Sequence, residues 1–261
     1  VAFIPLYDTN PLRRIRYPWV SWTIIAVNVA VYFFFEQGGF VGEPQRAEAI
    51  SFGLVPVLFH GASPGSLGLL AVPLGLTLVT YAFLHASVWH LAGNMVFLWV
   101  FGDNVEDALG HFRYLAFYLI SSAVAGYAFV IAAPWSEAPV IGASGAVAAV
   151  LTAYLLLYPR AKVWILLLFG VPLRLRVEYV LGFWVLFQLY AAFAGAQASG
   201  GTDVAWWVHV GGLATGAILV LFMRQKGVPL FAKALPEHPW RRQSVEDSSP
   251  DAAADEPEAR E

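Results

Sequence analysis

The 261 residues are 59% hydrophobic and only 13% charged, with a formal net charge of −3 and a mean hydropathy of +0.63. Soluble domains run at about 45–50% apolar and 25% charged, so the body of this chain is not a soluble globular protein. The charge is also segregated: 14 of the 33 charged residues fall in Arg224–Glu261. No basic stripe stands apart from the flanks of apolar segments, which argues against nucleic acid as a partner. With no cysteine, disulfides, thiolate metal sites and a cysteine nucleophile are excluded.

A membrane-crossing helix needs about 20 apolar residues, and uncharged windows locate the candidates in chain order. After a segment at 1–16, Tyr17–Phe35 reads as a true span and not a signal peptide, because no small-residue cleavage site follows it closely. An outer loop at about 37–84 comes next. Within it Phe40 to Thr80 is broken by Pro56, Pro64, Pro73 and the Gly-Ser stretch from Gly61 to Gly68, so it is expected to dip into the interface through Phe52, Leu54, Val57, Leu58 and Phe59. The later spans are His85 to Gly102, Tyr114 to Ser136, Pro139 to Pro159, Tyr179 to Thr202 and Val204 to Met223. Val163 to Leu173 is too short to cross.

The resulting expectation is an all-α integral membrane protein, a six-helix bundle over 17–224, followed by a segment at 225–261 with a disordered acidic tail from about 246. Ten Lys and Arg between Arg13 and Lys226 fall on one side of these spans, against Arg46 on the other. The positive-inside rule then makes both termini cytoplasmic, and spans 2, 4 and 6 run from the outer face inward.

Polar side chains inside a bilayer are expensive and mark function by default. Span 4 carries Gly142-Ala143-Ser144-Gly145. Span 6 carries His209 followed on one face by Gly212 and Gly216, and span 2 carries His85, His90 and Asn94, with His90 and Asn94 one turn apart. Each taken singly also suits packing or interhelical hydrogen bonding. Together they fall at similar depths, roughly 6–10 Å from the outer ends of their helices at 1.5 Å per residue. A Ser–His hydrogen bond between spans 4 and 6 would give an activated nucleophile and its base, with His90 and Asn94 as donors to a tetrahedral oxyanion. Asp203 lies about 9 Å along the helix from His209, too far to orient it, so the reading is a dyad. Asp103, Glu106 and Asp107 read as a solvated loop at the cytoplasmic end of span 2.

These stretches, in this order, resemble the rhomboid intramembrane serine proteases: His85 to Asn94, Phe101-Gly-Asp-Asn-Val-Glu106 through Gly110, Gly142-Ala-Ser144-Gly145, and His209-Val-Gly-Gly212 with Gly216. The resemblance covers about Pro18 to Phe222. It implies that Ser144 is the nucleophile, His209 the base, and His90 and Asn94 oxyanion donors beside the Ser144 amide. Gly142, Gly145, Gly212 and Gly216 would serve packing, and Phe183, Trp184 and Phe187 would be candidate gate residues. The family's aromatic one turn after the nucleophile is Ala148 here, so His209 must be held by Tyr154, Trp207 or another helix.

The expected activity is hydrolysis of peptide bonds within or next to the transmembrane helices of other membrane proteins, with no cofactor and no metal. The expected setting is a bacterial inner membrane, with a polar cavity open to the outer face. A zinc protease would want HExxH, which is absent, and Asp103 and Asp203 fall on opposite faces, which disfavours a paired-aspartate enzyme. The alternative from another class is a catalytically silent rhomboid-like protein that binds transmembrane helices for trafficking or quality control.

Overall fold

The computed structural model describes residues 3–35, 46–62, 70–167, 170–195 and 206–233. The expected acidic tail and Asp203 lie outside these residues. The described elements are β1 (Phe3–Asp8), α1 (Trp19–Phe35), α2 (Arg46–Phe52), α3 (Thr77–Thr80), α4 (Val88–Leu109), α5 (His111–Ala132), α6 (Ser144–Leu157), β2 (Lys162–Leu167), β3 (Pro172–Arg176), α7 (Val177–Gly195) and α8 (Trp206–Met223). Short 3-10 turns flank α3 and cover Pro56–His60.

The six expected spans correspond to α1, α4, α5, α6, α7 and α8. Length and composition suffice to cross a membrane in α5, in α7 and in α8, and in a fourth case if the stretch Leu74–Phe83 and α4, bent by 85°, act as one span. The helices at Trp19–Phe34 and Ser144–Leu157 are apolar but shorter. The chain is thus a mostly helical membrane protein whose outward surface carries Phe112, Ile131, Tyr190, Phe193 and Phe222.

The core is built around α6, whose residues from Gly145 to Tyr154 are all buried. In a bilayer the lipid tails compete equally for apolar side chains, so helices associate through close backbone approach at small residues. A Cβ added to Gly212 would stand 2.1 Å from the Gly145 carbonyl oxygen, and one at Gly216 would stand 2.3 Å from that of Ala149. On the adjoining face of α8, a Cβ at Gly211 would meet Ala128 Cβ at 2.7 Å on α5. The glycines therefore seat α8 in the groove between α5 and α6.

Three sequence expectations are corrected. The fold is not all-α: β1, β2 and β3 form an antiparallel sheet in that order, with Phe3 opposite Leu167 and Lys162 opposite Arg176. A search for spans passes over a six-residue strand, although the alternate inward positions Val163 and Ile165 mark one. Pro172 is tolerated because it starts an edge strand. Residues 3–16 are accordingly part of the folded body, and Phe3 packs edge-on against Phe97 of α4 at 5.7 Å.

Secondly, the acidic end of α4 is not a solvated loop. Glu106 is fully buried and accepts from the amides of Val20 (3.1 Å) and Ser21 (2.8 Å) and from the Ser21 hydroxyl (2.7 Å), while His111 Nδ1 stands 2.5 Å away. It thereby satisfies the orphan first-turn amides of α1. Asp107 Oδ1 likewise accepts from the successive amides of Arg13, Arg14 and Ile15, at 3.1, 2.6 and 2.8 Å.

Thirdly, of the five loop residues expected at the interface, two are packed into protein, while Phe52, Val57 and Phe59 are half-buried. Leu54 and Leu58 are buried, and Leu54 clusters with Tyr81, Ala125 and Val208.

Candidate active site

Ser144 is the first residue of α6, not four residues inside it. The turn before the helix explains this. Gly142 has φ +128°, a conformation that a side chain disfavours, and an added Cβ would stand 2.6 Å from His90 Cε1. Three backbone ties fix the approach: Val140 and Leu54 exchange bonds at 2.8 and 3.0 Å, and the Gly142 amide donates to Tyr81 O at 2.9 Å. The Ala143 amide then donates to His85 Nε2 at 3.4 Å. The first bond along the helix runs from the Val147 amide to Ala143 O at 3.0 Å. The amides of Ser144, Gly145 and Ala146 consequently have no partner within their own helix, and the positive end of the helix dipole points to the same place.

His209 lies in the first turn of α8, and its Nε2 is 2.9 Å from Ser144 Oγ. The close seating of α8 on α6 makes this distance attainable. The other ring nitrogen, Nδ1, is 2.7 Å from Gln188 Oε1 on α7. An amide oxygen in that place accepts, which favours the tautomer with the proton on Nδ1 and with Nε2 free to accept from the Ser144 hydroxyl. Both Ser144 and His209 are partly exposed, whereas Gln188 behind them is buried.

The imidazole is flanked by Trp184 of α7, with ring centroids 6.4 Å apart and tilted, and by Trp206 of α8, edge-on at 5.9 Å. Of the residues expected to hold it in place of an aromatic at Ala148, Tyr154 points away to Phe101 and Tyr158, and Trp207 pairs with Phe193. The third expectation, another helix, is what the fold uses.

His90 lies on α4 against the turn that leads to Ser144, and Asn94 follows one turn later on the same helix. The His90 ring covers Gly142, and the His90 amide is capped by Ser87 Oγ at 3.2 Å. Asn94 is buried and its amide nitrogen donates to His90 O at 3.2 Å, within its own helix. Phe183 and Phe187 are exposed on α7, and Phe187 meets Trp206 edge-on at 5.8 Å, whereas Trp184 turns inward. Sequence reasoning missed Gln188, although an amide inside an apolar span was a usable signal. No cluster of three or more metal-ligating side chains occurs among the described residues.

A family model described as the rhomboid domain matches residues 73–226, more than half of the chain. The chain belongs to the rhomboid family. This rhomboid is 33% identical over 151 residues to Rhomboid protein 1, mitochondrial, of Saccharomyces cerevisiae, covering 55% of this chain and 40% of that protein. It is 31% identical over 159 residues to RHOMBOID-like protein 12, mitochondrial, of Arabidopsis thaliana, covering 54% and 44%. Against the human presenilin-associated rhomboid-like protein, mitochondrial, identity is 32% over 88 residues, covering 33% and 23%. The chain thus spans less than half the length of these relatives. Their names are mitochondrial, which does not fit the expected bacterial inner membrane.

Proposed function

We propose that this rhomboid is a serine endopeptidase that hydrolyses peptide bonds within or beside the transmembrane helices of other membrane proteins. The observation that carries the reading is the 2.9 Å approach of Ser144 Oγ to His209 Nε2 with Nδ1 held on Gln188. A hydroxyl becomes a useful nucleophile when an adjacent base takes its proton during attack. Ser144 Oγ adds to the scissile carbonyl while His209 receives the proton. The imidazolium then protonates the departing amine, leaving an acyl-enzyme that water hydrolyses by the reverse sequence.

Charge collects on the former carbonyl oxygen during both steps. The Ser144 amide, unbonded within α6, is proposed as the fixed donor, with the His90 ring and the Asn94 amide completing the oxyanion site. In the resting state Asn94 donates one amide hydrogen to His90 O of its own helix, and its second N–H is the one proposed for the oxyanion. A single oxyanion donor is typically worth about 3 kcal/mol in the transition state.

The proposal includes six spans with both termini cytoplasmic and the site opening to the outer face, through a polar cavity between α4, α6, α7 and α8. Phe183, Trp184 and Phe187 are proposed to line the lateral entry of substrate. Residence in a bacterial cytoplasmic membrane belongs to this proposal and stands against the mitochondrial names of the relatives. Membrane fractionation of the native source tests it.

The activity is tested with a fluorophosphonate probe on the membrane-embedded protein, which requires no known substrate. Labelling of the wild type that disappears in both Ser144→Ala and His209→Ala is the expected result. Equal labelling of Ser144→Ala would overturn the nucleophile. No labelling of a folded wild type, beside a positive control, would favour the silent helix-binding reading.

A further inference from the structure

Gln188 occupies an unusual place. On α7 its neighbours Leu186, Phe187 and Tyr190 are exposed, yet Gln188 is only 4% exposed and turned into the protein. A primary amide in an apolar span needs partners for its oxygen and nitrogen, and its oxygen is placed 2.7 Å from His209 Nδ1. Trp184, one turn earlier on the same face, lies against the same imidazole. Both contacts come from a helix other than those bearing Ser144 and His209.

We infer that Gln188 is the positioning residue for the imidazole, fixing both its tautomer and its rotation so that Nε2 is the acceptor facing Ser144. The inference rests on the Ser144–His209 reading and deepens it. An imidazole with its proton on Nε2 would donate to the serine and could not take its proton. With the accepting amide oxygen of Gln188 facing Nδ1, that tautomer is disfavoured. The carboxylate of a Ser-His-Asp triad performs this directional task and also offsets the imidazolium charge. Gln188 is neutral and supplies the direction alone. Because the amide stands on α7, correct aim of the imidazole also requires that α7 stay packed against α8.

The test compares two variants of the full-length protein in lipid by the kinetics of fluorophosphonate labelling at Ser144. Gln188→Met preserves length and removes the acceptor. Gln188→Glu keeps an oxygen that can accept from Nδ1–H in either protonation state. The expected result is a fall in the maximal inactivation rate of Gln188→Met, on the order of 100-fold, at the lower end of what a positioned general base contributes. The probe's half-saturation concentration should not change, and Gln188→Glu should recover to within about tenfold of wild type. Wild-type rates in Gln188→Met would overturn the inference. So would equal slowing of both variants with a matching drop in thermal stability, which would mark a packing role. Failure of the dyad itself is distinguishable, since the wild type would then not be labelled at all.

Discussion

Gly212 of α8 rests on the Gly145 carbonyl of α6, so close that a Cβ on Gly212 would stand 2.1 Å from that oxygen. The contact sets the separation of the helices that carry His209 and Ser144. Gly212→Ala must push α8 away, and the 2.9 Å Ser144–His209 approach cannot survive a shift of even about 1 Å as a good hydrogen bond. Probe labelling should fall at least about 100-fold while helical content by circular dichroism is kept. Normal labelling of Gly212→Ala would show that the spacing of these helices has slack.

The turn before Ser144 gives a second prediction. Gly142→Ala meets both a positive φ and the His90 ring at 2.6 Å, so labelling should drop sharply. The double variant Gly142→Ala/His90→Ala relieves the steric part only. Because His90→Ala also removes a proposed oxyanion donor, recovery is read from the unfolding midpoint and not from labelling: a midpoint partly restored in the double variant would be the signature of the clash, and an unrestored one would place the cost in the backbone.

Glu106 should matter for stability and not for chemistry. Glu106→Gln turns a buried acceptor of three hydrogen bonds from Val20 and Ser21 into a group that must present donors to donors. Unsatisfied buried groups cost about 1–3 kcal/mol each, so the unfolding midpoint of the purified protein should fall clearly, with labelling at low temperature retained. A midpoint equal to wild type would mean that the start of α1 is held by other contacts.

Asp8 of β1 predicts a pH dependence of stability. Burial pushes its carboxyl up from 3.8 to about 7, with nearby Asp103 adding to the rise and the hydrogen bond from the Tyr154 hydroxyl opposing it. Between these values the folded state binds the proton that the unfolded chain has released. Stability therefore falls as pH rises from about 4 and levels off above about 7. Asp8→Asn, which keeps an acceptor for Tyr154, should flatten that slope in thermal unfolding from pH 5 to 8. Superimposable slopes for the two proteins would assign the dependence elsewhere.

A substrate prediction follows from the mechanism. Attack at Ser144 needs an extended strand, so a substrate helix with Gly near the scissile bond should be cut faster than one of uninterrupted Leu, because the former costs less to unwind. Equal rates in a reconstituted assay would remove unfolding from the account.

The membrane class, the approximate helices and the candidacy of Ser144, His209, His90 and Asn94 were legible in the sequence because each rests on local rules: hydropathy over a span-length window, and polar groups where lipid makes them costly. Gly212 and Gly216 were legible as packing for the same reason. What only the tertiary structure decided depends on contacts between residues far apart in the chain. The pairing of Phe3–Asp8 with Lys162–Leu167 joins segments more than 150 residues apart, and no periodicity in either predicts it. Glu106 looks like any solvated acid until the first turn of α1, more than 80 residues earlier, is brought to it. The aim of His209 was likewise beyond reach of spacing, since Gln188 lies 21 residues away on another helix. Its role depends on how α7 is rotated against α8, a choice made by the sum of packing contacts and not by any one segment.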